Sequence, residues 1–170
     1  MTPPMESEIF NTLKDFFISL PHCAALGMRF ENIVGYKPTL SMQWQPEFVG
    51  HADTGVLHGG VITPLIDIAG ATAVAAHLEM PEALATLDLR IDYLQATPNH
   101  GKILATAECY RLGGQVAFVR TVCYTEEDYE PFALGTATYM RVIDPFALET
   151  STYMNIIQQQ KEKMQQQGRR

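Results

Sequence analysis

A lone carboxylate stands in an almost wholly apolar stretch of the chain. Residues 57–77 read LHGGVITPLIDIAGATAVAAH, and Asp67 is the single carboxylate among them. Asp67 and Pro64 interrupt the stretch, so no uninterrupted apolar run in it is long enough for a membrane span, and it must be buried in protein. A buried carboxylate costs several kcal/mol unless hydrogen bonds or a change in protonation relieve it. Such a carboxylate could act as a base or a nucleophile, which makes Asp67 the first candidate for chemistry.

Two glycines precede this carboxylate in the motif His58-Gly59-Gly60. Glycines let a ligand approach the backbone closely, and free N–H groups near a helix N-terminus stabilise a developing negative charge. Thr63 followed by Pro64 has the pattern of an N-cap and a first helical residue. This pattern favours a helix that begins there, with the glycine turn and its N–H donors on a preceding loop.

The elements that position these residues follow from the apolar periodicity. Residues 5–20 repeat apolar side chains at a helical spacing and end before a proline, which predicts an amphipathic helix. Two extended runs within residues 28–44 flank a turn signal at residues 35–38, which indicates a hairpin. Residues 46–56 are predicted to be a loop. Residues 65–77 are apolar on all sides, as expected of a helix enclosed by other structure.

The second half of the chain is rich in strand patterns. Residues 86–94, TLDLRIDYL, alternate strictly. One predicted face carries Leu87, Leu89, Ile91 and Tyr93, and the other carries Thr86, Asp88, Arg90 and Asp92. Three further strands are predicted at residues 102–112, 115–126 and 132–142. These four strands are expected to form one antiparallel meander.

A curved antiparallel sheet wrapped around one central helix satisfies both the buried helix and the alternating strands. The sequence therefore predicts an α+β fold of the hot-dog type, with an extra N-terminal helix and a C-terminal helical tail. We predict a single domain over residues 1–148. Residues 149–170 are rich in Gln and charge and are predicted to form a helical or disordered tail, with an oligomerising or partner-binding helix as the alternative.

Composition excludes several classes of function. The chain has 170 residues, 46% of them hydrophobic, and a net charge of -7, which argues against unspecific binding to nucleic acid or to an anionic membrane. Its three cysteines form no metal-type spacing and cannot close a disulfide set, which favours a reducing cytosol. The N-terminus, MTPPMESEIF, lacks the basic and apolar pattern of an export signal. We predict a cytoplasmic protein without a metal site.

The motif of residues 58–60 is followed by Leu65 and Asp67, and TLDL leads to DYL within residues 86–94. This combination resembles the hot-dog thioesterases of the phenylacetic acid degradation (PaaI) type. The resemblance covers roughly residues 25–143, and an Asp nine positions after the His is its most specific part. Members of that family hydrolyse acyl-CoA thioesters. The resemblance implies the same reaction here, with no cofactor, because coenzyme A is part of the substrate.

The same resemblance implies a role for each candidate residue. It makes Asp67 the general base or nucleophile, Gly59 the backbone N–H donor to the thioester oxygen, and Thr86 a residue that helps to hold the water. Substrate-binding positions are expected at His58, Gly60, His51, Arg111, Gly113 and Gly114. The last three lie at a turn between strands where such proteins often bind the phosphates of coenzyme A.

The spacing of two candidates requires a second chain. Gly59 and Asp67 are eight residues apart, or roughly 12 Å along a helix, too far for both to contact one carbonyl. A two-fold dimer with antiparallel central helices would bring Gly59 of one copy towards Asp67 of the other. The resemblance likewise implies a homodimer, commonly doubled into a homotetramer.

One departure from the family keeps other functions open. The family usually carries an Asn six residues before the His of the motif, and that position is Ala52 here. His51 and Asp53 flank it, and either could substitute. A non-catalytic protein that binds or senses acyl-CoA therefore stays an alternative. A hot-dog acyl-CoA hydratase is another, although the Asp/His loop motif of those enzymes is not found.

Each candidate residue also has a purely structural interpretation. Asp67 could be a carboxylate satisfied by local hydrogen bonds, and the glycines could form only a tight turn. His58 is better interpreted as a hydrogen-bonding residue that shapes the turn than as a proton carrier. Thr86 could be an ordinary strand residue, since Thr favours strands. The turn beside Arg111 could simply be solvated.

Overall fold

The computed structural model describes residues 8–78 and 82–142. Within these ranges the elements are α1 (Glu8–Ser19), α2 (Pro21–Ala25), β1 (Arg29–Val34), β2 (Lys37–Gln43), a 3-10 helix (Pro46–Phe48), β3 (Val49–His51), β4 (Val56–Leu57), α3 (Gly59–Ala75), β5 (Ala83–Tyr93), β6 (Lys102–Leu112), β7 (Val116–Thr125) and β8 (Ala133–Val142). The predicted N-terminal helix and the β1–β2 hairpin are confirmed. The predicted tail, residues 149–170, lies outside the described residues.

Helix α3 is the centre of the fold. Every residue from Ile68 to Ala75 is buried, as the all-apolar pattern predicts. The strands around it present small side chains, including Ala105 and Ala107 on β6 and Ala117 on β7, all fully buried. Small side chains let the curved sheet approach the helix closely, and the predicted hot-dog fold is confirmed. None of the helices in the described part of the chain is long and apolar enough to cross a membrane.

Strand β5 does not take the place that the predicted meander gives it. The six long strands form one antiparallel sheet in the order β1-β2-β6-β7-β8-β5. Strand β6 pairs with β2 on one side and β7 on the other, so β5, although it precedes β6 in the chain, pairs with the free edge of β8. The single meander is therefore wrong for β5 and right for β6 to β8. As a result, β5 forms one edge of the sheet.

The segment of residues 46–56, predicted as a loop, holds short regular structure. The 3-10 helix is followed by the small hairpin of β3 and β4, in which Val49 pairs with Leu57. A Cβ added at Gly50 would lie 2.8 Å from the Cα of His58, so a glycine is needed where this hairpin contacts the start of α3. The hairpin thereby supports the motif of residues 58–60.

We expect Gly135→Ala to destabilise the fold by about 1–3 kcal/mol. On β8 an added Cβ would lie 2.5 Å from Cγ2 of Ile66, whose side chain is 1% exposed. A β-branched side chain in a closed core cannot move aside easily. Urea unfolding measures the loss, and Gly114→Ala is the matched control because nothing lies within 4 Å of its added Cβ. Equal stability of Gly135→Ala and wild type would contradict the close packing of α3 on β8.

Candidate active site

Asp67 lies half-buried on α3 and is held by two hydroxyl groups from the sheet. Thr86 Oγ1 donates to Asp67 Oδ1 at 2.8 Å. The hydroxyl of Tyr139 lies 3.2 Å from the same Oδ1 and donates to the backbone oxygen of Asp67 at 2.8 Å. Among the residues that the structure describes, no hydrogen bond reaches Oδ2. The carboxylate is thus fixed through one oxygen and free at the other.

Thr86 reaches Asp67 because β5 contains a bulge. The register of β5 on β8 shifts between Thr86 and Asp88, and Leu87 is 55% exposed. A bulge reverses the facing of the residues on one side of it, so Thr86 pairs with the buried Tyr139 and shares the helix-facing side with Leu89. The predicted strict alternation, which puts Thr86 on the opposite face, is therefore wrong at this position.

Tyr139 is absent from the candidates that the sequence suggests. Its ring is 1% exposed, and burial, together with the Asp67 charge, raises the pKa of its hydroxyl far above the usual range. The hydroxyl therefore keeps its proton and stays a donor. One signal was available in the sequence: β8 alternates small residues at Ala133, Gly135 and Ala137 before Tyr139, and a buried tyrosine hydroxyl needs a partner.

The N-terminus of α3 begins earlier than Thr63 and Pro64 suggest. His58 is the N-cap, its Nδ1 accepts the N–H of Gly60 at 3.0 Å, and its carbonyl accepts from Val61. Because the histidine side chain caps the helix, α3 starts at Gly59 and Pro64 lies inside it. The expectation that the glycines form a loop before the helix is wrong. His58 has the predicted structural role of shaping this turn.

Gly59 is the first residue of α3, and its carbonyl is held from β5. The hydroxyl of Tyr93 donates to the Gly59 oxygen at 2.6 Å. Burial raises the pKa of Tyr93, which keeps this donor protonated. No described residue accepts a hydrogen bond from the Gly59 N–H, whereas the N–H of Gly60 is used by the cap. Gly59 therefore presents an unused donor at the positive end of the helix dipole.

Gly59 and Asp67 contact opposite ends of β5. Gly59 is bound by Tyr93 at the end of the strand, and Asp67 is bound by Thr86 near its beginning. Along α3 the two residues are separated by roughly 12 Å. One chain brings Asp67 and Thr86 together, and it keeps Gly59 away from both.

The turn after β6 lies near the Asp67 end of the sheet. Leu112, Ala117, Tyr139 and Thr86 form one row of paired residues from β6 to β5. At a strand spacing of about 4.8 Å, this row spans about 14 Å, so the turn that follows Leu112 is not in contact with Asp67.

Arg111 and the two glycines that follow it have separate environments in this turn. Arg111 is exposed. Gly113 donates its N–H to the Val116 oxygen, and its own oxygen accepts from Arg141, which is paired with Glu82. The backbone groups of Gly113 are therefore used inside the chain, whereas the Arg111 side chain and Gly114 are exposed and could be reached by a substrate.

His51 lies at the end of β3, away from the hydrogen bonds that hold Asp67. It is exposed, and its backbone oxygen accepts the N–H groups of Thr54 and Gly55. Ala52 and Asp53 are exposed in the turn that follows. The structure places none of these three residues in hydrogen-bonding contact with Asp67. A role for His51 in binding substrate remains a prediction.

The cysteines are unsuited to nucleophilic chemistry. All three are free and buried. Burial, with a smaller effect of the Asp67 charge, raises the pKa of Cys23 to about 11, and burial raises that of Cys123 to about 12. Protonated thiols are poor nucleophiles. Within residues 8–78 and 82–142, no group of three or more His, Cys, Asp or Glu side chains could hold a metal ion.

Comparison with known proteins agrees with the fold. Residues 54–132 match the thioesterase superfamily. The medium/long-chain acyl-CoA thioesterase YigI of Escherichia coli is 34% identical, in an alignment that covers 74% of this chain and 88% of YigI. A solved Pseudomonas aeruginosa protein is 32% identical with a TM-score of 0.69, over 79% of this chain and 99% of its own.

The predicted resemblance to the PaaI type also appears at the level of the fold. A mutant form of the phenylacetic acid degradation protein PaaI from Thermus thermophilus is 24% identical, with a TM-score of 0.62, over 72% of this chain and 100% of its own. The fold, the relatives and the matched domain agree with one another. The chain belongs to the thioesterase superfamily of hot-dog enzymes.

Proposed function

We propose that the protein hydrolyses acyl-CoA thioesters to a free acid and coenzyme A, with Asp67 as general base or nucleophile. The observation that carries the proposal is the setting of Asp67, in which Thr86 and Tyr139 donate to Oδ1 and no described residue donates to Oδ2. A carboxylate fixed in this way is oriented to take a proton from water or to attack a carbonyl carbon. Membership of the thioesterase superfamily supports this reaction.

Two routes lead to the same products. With Asp67 as base, Oδ2 takes a proton while the water oxygen attacks the thioester carbonyl carbon; the C–S bond then breaks, and the thiolate leaves with a proton. With Asp67 as nucleophile, Oδ2 attacks the carbon and expels the thiolate; water then hydrolyses the resulting anhydride, which restores the Asp67 carboxylate, and the proton released protonates the thiolate. Thr86 gives its proton to Oδ1, so its lone pairs stay available to orient the water.

Both routes place negative charge on the carbonyl oxygen, and Gly59 is suited to bind it. Its N–H has no partner among the described residues and lies at the positive end of α3. Because Gly59 and Asp67 contact opposite ends of β5, the proposed site combines Gly59 of one copy with Asp67 of a second. The protein is therefore proposed to act as a homodimer with two shared sites.

The free edge of β5 supports this dimer. Thr86 and Tyr93 are equally far from the middle of the strand, between Leu89 and Arg90. Antiparallel pairing of two β5 edges about a two-fold axis there would set the Tyr93 end of one copy beside the Thr86 end of the other. Leu87, Tyr93 and Leu94 are 55%, 44% and 54% exposed along this edge, so apolar surface is available for pairing. Two such dimers are proposed to form a tetramer.

Medium and long acyl chains are the proposed substrates, because the YigI relative carries that name. The exposed Arg111 side chain is proposed to bind the phosphates of coenzyme A, with His58 and Gly60 shaping the helix N-terminus beside the thioester. The reaction uses water and groups of this protein, with no metal or cofactor. Three free, buried cysteines suit the proposed location in the reducing cytoplasm.

Thiol release from a panel of acyl-CoA esters tests this function. We expect the wild-type protein to release coenzyme A faster from medium- and long-chain esters than from short-chain or arylacetyl esters, with kcat/KM as the measure. Faster release from arylacetyl esters would contradict the proposed substrates. Tight binding of acyl-CoA without thiol release would favour the non-catalytic alternative. That alternative is open because this chain has Ala52 where the family usually has an Asn.

A further inference from the structure

Tyr139 places a hydroxyl group inside the core, against α3. The helix-facing positions of β8 before it, Ala133, Gly135 and Ala137, are small and buried. The tyrosine ring fills the space against α3 and is 1% exposed. A buried hydroxyl costs free energy unless it is bonded, so its position in the core depends on the partner it finds.

The partner of this hydroxyl is Asp67 itself. The hydroxyl oxygen lies 2.8 Å from the backbone oxygen of Asp67 and 3.2 Å from Oδ1. It thus binds the residue at both the main chain and the side chain, whereas Thr86 contacts the carboxylate alone. One contact is to an atom on the Cα side of the Cα–Cβ bond and the other is to an atom on the Cβ side. Together they restrict rotation about this bond.

Gly70 makes this approach possible. A Cβ at residue 70 would lie 2.3 Å from the Tyr139 hydroxyl oxygen and 3.0 Å from the ring carbon that carries it. Real atoms do not come this close, so any larger residue would push the hydroxyl away from the helix. Gly70 stands one turn after Asp67, where a helix otherwise disfavours glycine by about 1 kcal/mol relative to Ala. The close approach of the Tyr139 hydroxyl explains why residue 70 is a glycine.

We propose that Tyr139 is a positioning residue, which uses the gap at Gly70 to fix the rotamer of Asp67 and to leave Oδ2 directed at the substrate. This inference rests on the proposed function of Asp67. The high pKa of the Tyr139 hydroxyl agrees with a permanent donor. A tyrosine that merely fills the core would serve equally well without its hydroxyl, and that difference can be measured.

The first test is Tyr139→Phe, which removes the hydroxyl and keeps the ring. We expect kcat for acyl-CoA hydrolysis to fall about tenfold with KM nearly unchanged. In the Asp67→Asn background the same change is expected to have little further effect on the residual rate.

The matched control is Tyr124→Phe, which removes a hydroxyl bonded to Thr106 on the other face of the sheet. Its kcat and KM are expected to stay at wild-type values. If Tyr139→Phe also leaves both unchanged while Asp67→Asn is inactive, the positioning role is overturned and the proposed function stands. If the wild-type protein hydrolyses no ester, the proposed function fails instead. The role of Tyr139 is then tested by the melting temperatures of the Gly70→Ala variants, which need no activity.

A second measurement tests the contact between Tyr139 and Gly70 without any substrate. Gly70→Ala is expected to lower the melting temperature strongly in the wild type and much less in the Tyr139→Phe background, because the closest contact, 2.3 Å to the hydroxyl, is then gone. Equal losses in both backgrounds would show that the hydroxyl does not occupy the gap at Gly70, and would overturn the proposal independently of catalysis.

Discussion

Asp67→Asn is expected to lower kcat for acyl-CoA hydrolysis by at least about a hundredfold, with little change in KM. Asn has nearly the same shape, and its amide oxygen can still accept from Thr86 and Tyr139, which hold Oδ1 in the wild type. What is lost is the second carboxylate oxygen, which takes the proton or attacks. The expected loss is therefore chemical, and thiol release at saturating substrate measures it.

Asp88→Asn is the matched control for this experiment. Asp88 is an exposed carboxylate on β5, next to the bulge, and pairs with Thr138 on the face away from α3. Its variant is expected to keep the wild-type kcat, and both variants are expected to melt near the wild-type temperature. Unchanged turnover in Asp67→Asn would make Asp67 a structural carboxylate, and the reaction would need another base.

Gly59→Pro is expected to lower kcat by about 100- to 1000-fold relative to Gly59→Ala. Proline has no backbone N–H, and it is well accepted at the first position of a helix, where Gly59 stands. The preceding residue, His58, has φ -65° and ψ 130°, the extended conformation that a following proline requires. The substitution thus removes the proposed oxyanion donor and leaves the start of α3 intact.

Gly59→Ala is the control because it adds the same Cβ and keeps the N–H. That Cβ would lie 2.9 Å from the Tyr93 hydroxyl oxygen, so both variants are expected to displace Tyr93 to a similar degree. The ratio of their kcat values therefore isolates the N–H. A ratio near one would show that the Gly59 N–H does not stabilise the oxyanion.

Mixing the two inactive variants tests whether the site is shared. In a heterodimer of Asp67→Asn and Gly59→Pro chains, one site combines the intact Gly59 of the first chain with the intact Asp67 of the second. Random re-association makes about half of the dimers mixed, each with one of its two sites intact, so about a quarter of the wild-type activity is expected to return. No recovery after verified exchange of chains would place the whole site within one chain.

Much of the fold was predictable from local sequence patterns. The all-apolar run of residues 65–77 predicts an enclosed helix, because no polar face is left to meet water. Period-two alternation and turn residues similarly predict the strands after it. These patterns depend on neighbours within a few residues, so they can be interpreted without knowledge of the rest of the chain.

The parts that the sequence did not predict depend on distant residues. Strand β5 pairs with β8 because β2 already occupies the free edge of β6. Helix α3 starts at Gly59 because the His58 side chain turns back to cap it, which overrides the local signal of Thr63 and Pro64. In each case two local arrangements were possible, and a contact elsewhere decided between them.

The candidate site divides in the same way. By itself the sequence determined the chemical types and their order: a carboxylate nine residues after the His of a glycine motif, within a segment that must be buried. Only the tertiary structure decided which groups hold that carboxylate. Thr86 faces Asp67 because a bulge at Leu87 reverses the facing of the strand, and Tyr139 reaches it from 72 residues away through the gap at Gly70. Both contacts depend on the pairing of β5 with β8 and on the packing of that pair against α3, which no local pattern encodes.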